Sequence, residues 1–147
     1  MNARAIRIHE YGGPEVLQYE SIEVPEPGEG EATIRHTAIG LNFIDTYHRT
    51  GLYPLDLPLG LGTEAAGIVE AAGPGVTDVS PGDRVVYTGL PLGAYSTARN
   101  YPANRLVPIP EGISDEHAAA VLLKGLTAWY LLRRSYCVNA GDTVLLY

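Results

Sequence analysis

From residue 1 to about residue 110, apolar residues come in short runs closed by glycine or proline, a rhythm that predicts β-strands joined by tight turns. Residues 5–8 and 16–19 are two such runs, separated by the turn-forming Gly12, Gly13 and Pro14. A loop carrying Pro25, Pro27, Gly28 and Gly30 precedes a partly alternating run at 32–36. Residues 62–72 read as a longer strand of small side chains, closed by Gly73-Pro74-Gly75. Pro81-Gly82-Asp83 is a turn feeding a strand at 84–87, and 94–98 and 105–109 supply two more. Many short strands at this spacing make a barrel or sandwich, not a doubly wound sheet.

Two segments break the rhythm. Residues 42–49 predict a short helix on which Asn42, Asp45 and Arg49 share one face and Phe43 and Tyr47 another. Taken alone, that pattern describes a capping asparagine, a solvated aspartate and a half-buried tyrosine as readily as a site. Ser114 predicts the cap of a second helix, with Asp115 and Glu116 at the positive end of its dipole. Its body runs over 118–134, broken or bent near Gly125, with Arg133 and Arg134 at the negative end. A turn at 139–142 then leads to an apolar β run at 143–147. Helix, turn and buried-type strand is the order in which a Rossmann unit opens. We therefore expect a first domain over 1–124, and over 125–147 a linking helix with the first strand of a truncated nucleotide-binding domain. No glycine-rich phosphate loop occurs before Tyr147.

Charge and composition narrow the function. Seventeen acidic against ten basic residues argue against a nucleic-acid partner, whose phosphates would be repelled. No apolar run approaches the ~20 residues that span a bilayer, and the start lacks the apolar stretch of a signal peptide. The single cysteine, Cys137, excludes an internal disulfide and a thiolate-rich zinc lobe. A cytoplasmic protein fits. Of the ten basic residues only Lys124 is a lysine. That is either chance in an arginine-biased chain or a position that needs a compact ammonium.

The strongest signal is a set of motifs. From Gly40 the chain reads GLNFIDTYHRTGLYP and from Gly60 GLGTEAAGIVEAAGPGV, accompanied in order by GGPEVLQ, GDRVVY, LGAYS and LLKGLT. In order and spacing these resemble the medium-chain dehydrogenase/reductase superfamily, and within it the zinc-free, zeta-crystallin-like quinone oxidoreductases. Zinc-dependent alcohol dehydrogenases of that superfamily place Cys and His where this chain has Asn42 and Thr63. An amide and a hydroxyl are poor zinc ligands, so the resemblance implies a reductase without metal. A set of Asp45, His48 and Glu64 could still be drawn as an oxygen and nitrogen site.

The resemblance further implies a mainly β fold with short helices, a GroES-like partly open β-barrel, and NADPH-dependent reduction of a small-molecule quinone. It places Asn42 and Tyr47 beside substrate and nicotinamide, with Tyr53 at the rim, as the catalytic candidates. Cofactor contacts are implied for Phe43, Ile44, Asp45, Thr46 and Tyr47, and for Lys124, Thr127 and Tyr130 across the cleft. Asn or Tyr donors would stabilise a quinone oxygen that gains charge as hydride arrives. Glu64 reads better as a buried acid in a structural hydrogen-bond network, and Arg84 as the partner of a carboxylate. The main NADPH site is expected in a Rossmann part beyond this chain, which alone is expected to be inactive. A homodimer is the expected assembly. Zinc-free reduction of enones, alkenals or enoyl thioesters is the nearest alternative activity, and a non-catalytic GroES-like binding module the alternative class.

Overall fold

The computed structural model describes residues 1–146 and is mainly β with two helices. Strands β1 (Asn2–Ile8), β2 (Gln18–Glu23) and β4 (Leu59–Gly60) form one antiparallel sheet in the order β2-β1-β4. Strands β3 (Glu31–Gly40), β5 (Glu64–Ala72), β6 (Arg84–Thr88), β7 (Ala98–Pro102) and β8 (Val107–Pro108) form a second, in the order β7-β3-β5-β6-β8. Among the described residues both sheets stay open, and β1 is joined to the segment before β7 by an isolated bridge between Ala5 and Ser96. The long β3 serves both neighbours, β5 and β7, by bending at irregularities near Thr33 and His36. Ile34, Val69, Val85, Tyr87 and Tyr101 fill the main core, with small alanines between them. Tyr87 and Tyr101 stack at 4.0 Å between ring centres, and both are fully buried.

Most of the expected strands over residues 1–110 exist, with displaced ends. Residues 14–16 form a 3₁₀ turn instead of opening a strand, so β2 begins at Gln18. Pro14 sets that turn, and the Glu15 carboxylate accepts from the Gly13 N–H at 2.8 Å. Of the run at 94–98, residues 94–97 are a connector and only Ala98 is in a strand, as the first residue of β7. The connector's backbone bonds to the 61–62 loop through Ala94 N–H and Tyr95 N–H, and to β1 through Thr97 N–H. At 105–109 only Val107–Pro108 pairs, after a 3₁₀ turn over Ala103–Arg105, and Pro108 has no N–H to extend the ladder.

Helix α1 (Phe43–Thr50) starts at the Asn42 cap, as the sequence implies. Helix α2 (Asp115–Tyr130) is capped by Ser114, whose side chain accepts from His117 N–H at 3.2 Å. It runs unbroken through Gly125, against expectation, and passes into a wider π-type turn at Leu131–Ser135. A single glycine weakens a helix without breaking it when the ladder on both sides is intact. Ala119 is the buried point of α2, packing with Ala118 and Leu122 on Ala66, Val86 and Ile109. Arg84 and Asp115 pair where α2 meets β6, which is the structural role expected of Arg84. The expected strand at 143–147 is not seen. Residues 143–146 are irregular and have no strand partner among the described residues, and Tyr147 lies outside them. A strand without a neighbour has no ladder to hold it.

Candidate functional site

The site grows from the end of β3. Gly40 must be glycine, because a Cβ there would lie 2.3 Å from the Ala119 carbonyl oxygen and 2.6 Å from Glu64 Oε2. Close approach of these elements brings the α1 cap, the first residue of β5 and the middle of α2 together. Glu64 is fully buried. Its Oε1 accepts from the Leu123 N–H at 2.6 Å, and its Oε2 from Asn42 Nδ2 at 2.8 Å. Lys124 Nζ donates to Asn42 Oδ1 at 2.7 Å and stands 3.4 Å from Glu64 Oε2. The lysine side chain is 54% exposed while the glutamate is at 0%. One end of this chain of contacts is therefore sealed in protein and the other presents an ammonium to solvent.

Asp45 belongs to a second buried knot. Its Oδ2 accepts from the Asn42 N–H at 3.0 Å and from the Tyr95 hydroxyl at 2.8 Å, and its Oδ1 accepts from Thr63 Oγ1 at 3.2 Å. Burial, and then the Asp45 carboxylate, push the Tyr95 phenol well above its ordinary range. Gly62, at φ +93, makes room for Tyr95, whose ring atom would otherwise meet its Cβ at 2.3 Å. The knot fixes α1 to the two loops beneath it. Asp45 is thus buried at 4% exposure, with its carboxylate oxygens held in this knot. The sequence reading missed Tyr95, although the LGAYS motif contained it.

The outward face of α1 is aromatic. Phe43 and Tyr47 meet edge to face at 5.3 Å between ring centres, and Tyr47 and Tyr53 do so at 5.5 Å. Phe43 is 74% exposed and Tyr53 51%, with Leu41 and Leu52 also open beside them. Ile44 and Thr46 are half-buried, and Thr46 Oγ1 donates to the Phe43 carbonyl at 2.7 Å. Leu17, Leu41, Phe43 and Leu61 line a cavity of about 220 Å³ that also touches Asn42, Asp45, Thr46, Arg49 and Tyr95. Ligand pockets usually run to ~300–1,000 Å³, so this cavity is smaller than a typical ligand pocket. On α2, Thr127 and Tyr130 are exposed, and Thr127 Oγ1 is returned to the Leu123 carbonyl at 2.8 Å.

The structure thus joins Asn42, Glu64 and Lys124 in one cluster, and Phe43, Tyr47 and Tyr53 in another, with Asn42 and Phe43 adjacent in sequence. Asn42 is 7% exposed and its amide is engaged at both ends, so it bridges more directly than it faces a substrate. Asp45, His48 and Glu64 do not assemble: among the described residues no three His, Cys, Asp or Glu side chains gather as a metal-holding group. His48 is buried with Nδ1 unpartnered among those residues, and desolvation lowers its basicity against the opposing pull of Asp45.

The chain belongs to the family of alcohol dehydrogenase GroES-like domains, matched over residues 28–111. Within that family it is similar to a quinone oxidoreductase of Pseudomonas aeruginosa, 53% identical over 146 residues, 99% of this chain and 45% of the relative. The crystal structure of an Escherichia coli quinone oxidoreductase complexed with NADPH superposes with a TM-score of 0.91 at 52% identity, over 92% of this chain and 42% of that one. A 2-haloacrylate reductase of a Burkholderia species is 47% identical over 146 residues, 95% of this chain and 44% of the relative. The chain spans under half the length of these relatives.

Proposed function

We propose that this chain is the substrate-side domain of an NADPH-dependent quinone reductase that works without zinc. The observation that carries the reading is an aromatic wall of exposed Phe43 and Tyr53 with half-buried Tyr47, starting one residue after Asn42, which tethers the half-exposed ammonium of Lys124. These groups fit a reduced nicotinamide dinucleotide, which has a flat ring to lie against aromatic and aliphatic side chains and phosphates to meet a cation. NADPH, when bound, supplies the hydride. The chain's own part is to exclude water with Leu41 and Phe43 and to hold Lys124 on Asn42. The phenols of Tyr47 and Tyr53 then donate to an oxygen that gains negative charge. Asn42 and Thr63 occupy the positions of superfamily zinc ligands and are engaged in hydrogen bonds here, which supports a metal-free site.

We further propose that residues 1–124 form the catalytic domain and that 125–147 lead into a nucleotide-binding part carrying the main NADPH site. The assembly we infer is a homodimer. A cytoplasmic setting accords with an unpaired cysteine and a reduced dinucleotide. Among the described residues no helix is long and apolar enough to cross a membrane. The likeness to a 2-haloacrylate reductase favours a second reading, reduction of an activated alkene, for which the same donors would serve. Steady-state oxidation of NADPH by the full-length protein decides between them. We expect kcat/KM for 1,4-benzoquinone to exceed that for 2-chloroacrylate, and the reverse order would establish the second reading.

A further inference from the structure

We propose that Glu64 is a positioning residue that sets where Lys124 presents its charge to NADPH, an inference resting on the reading that Lys124 meets the cofactor. Taking a carboxylate wholly out of water is costly unless it is paired and hydrogen-bonded. Glu64 is at 0% exposure, and the fold is built around it from three directions. The Leu123 N–H reaches it from α2, the Asn42 amide from the cap of α1, and Gly40 withdraws its side chain from β3. A neutral amide of the same length could serve only part of this. Glutamine offers one acceptor oxygen, and its NH₂ would face either the Leu123 N–H or the Asn42 amide, donor against donor. The position therefore requires two acceptor oxygens, which an ionised carboxylate provides.

The negative charge also has an effect at the surface. An ion pair between two exposed groups contributes little, because water screens it and both side chains lose freedom. Here one partner is fully desolvated, so its field reaches the ammonium at 3.4 Å with less screening. Asn42 Oδ1 accepts a hydrogen bond from the ammonium at 2.7 Å and fixes the direction of approach. Lys124 is thereby held at the mouth of the site instead of sampling its many rotamers. A cation ordered before the ligand arrives binds an anionic group with less loss of freedom on binding. Thus Glu64 acts on the cofactor only through Lys124, and its removal mimics removal of the lysine.

The test uses the full-length protein with NADPH and 1,4-benzoquinone, comparing Lys124→Met, Glu64→Gln and the double variant, with unfolding midpoints measured alongside. Each single variant is expected to raise KM for NADPH by about tenfold, the scale of one charged contact, with kcat falling by less than KM rises. The double variant is expected to match the singles, since both remove one interaction. An unchanged KM in Lys124→Met overturns the reading that this lysine meets the cofactor, and the inference with it. A raised KM in Lys124→Met but not in Glu64→Gln, or multiplied effects in the double, overturns the role of Glu64 alone. Should Glu64→Gln fail to fold, Glu64→Asp keeps the charge but withdraws it by a methylene. A raised KM in that variant supports the proposal, and an unchanged one overturns it.

Discussion

His36 shows how one half-buried ring ties stability to pH. Its Nδ1 bonds the Ser96 carbonyl at 2.7 Å and its Nε2 meets the Tyr87 hydroxyl at 2.9 Å. Burial lowers its pKa from 6.5 to about 4, against the Ser96 bond that raises it. Above pH 6.5 the ring is neutral whether the chain is folded or not. As pH falls toward 4 the unfolded chain takes up a proton that the folded one refuses, so stability drops through that window, by ~3 kcal/mol for this group. We expect His36→Gln to be less stable than the parent at pH 7, and that gap to shrink toward pH 4 by about the same ~3 kcal/mol. Urea unfolding at several pH values checks it, and a gap that does not change with pH would refute it. At the same scale, Tyr47→Phe should lower quinone turnover by roughly 10²–10³ while leaving the unfolding midpoint in place, because it removes a donor and not a packed ring. Steady-state kinetics with full-length protein measures it. Asn42, Tyr47 and Lys124 stood out in the sequence because their motifs are local. The bond from Tyr95 to Asp45 joins residues fifty positions apart, and no periodicity announces such a pair.

Among the elements, helices were better predicted than strand ends, for a physical reason. Ser114 accepts from the His117 N–H and Asp45 from the Asn42 N–H, so both helix starts are set by partners three positions away and can be read locally. Strand ends depend on which distant segment supplies the ladder, which is why 94–97 became a connector and 143–146 found no partner among the described residues. Gly125 is the helical exception: it suggested a bend that the continuous backbone ladder of α2 does not need. A Cβ there would meet only Val121 Cγ1, at an ordinary 3.5 Å. Gly125→Ala should therefore stabilise the protein by about 0.5–1 kcal/mol, seen as a higher denaturant midpoint, and a lower one would contradict it. The same helix leaves Val121, Leu126, Trp129 and Tyr130 each about half exposed. Apolar surface of that extent is rarely left to water. The 147-residue chain on its own should self-associate through α2, with blue-shifted Trp129 fluorescence as concentration rises. Sedimentation showing a monomer at high concentration, with α2 intact, would argue otherwise.

At the scale of the whole molecule, the sheets and two helices set a tethered cation on Asn42 and start an aromatic wall at the next residue, Phe43. The fold class was readable from strand spacing and the motifs, and the site only as far as its local segments. The pairing of Glu64 with α2 emerges from packing across 59 positions. The central claim is that the charge developing on substrate is met by hydroxyl donors and not by a metal ion. It is tested by assaying the full-length protein for NADPH-dependent reduction of 1,4-benzoquinone after exhaustive chelation, with zinc content measured on the same sample. Undiminished turnover at negligible zinc is the expected result. Loss of turnover on chelation, restored by one equivalent of zinc, would contradict the account.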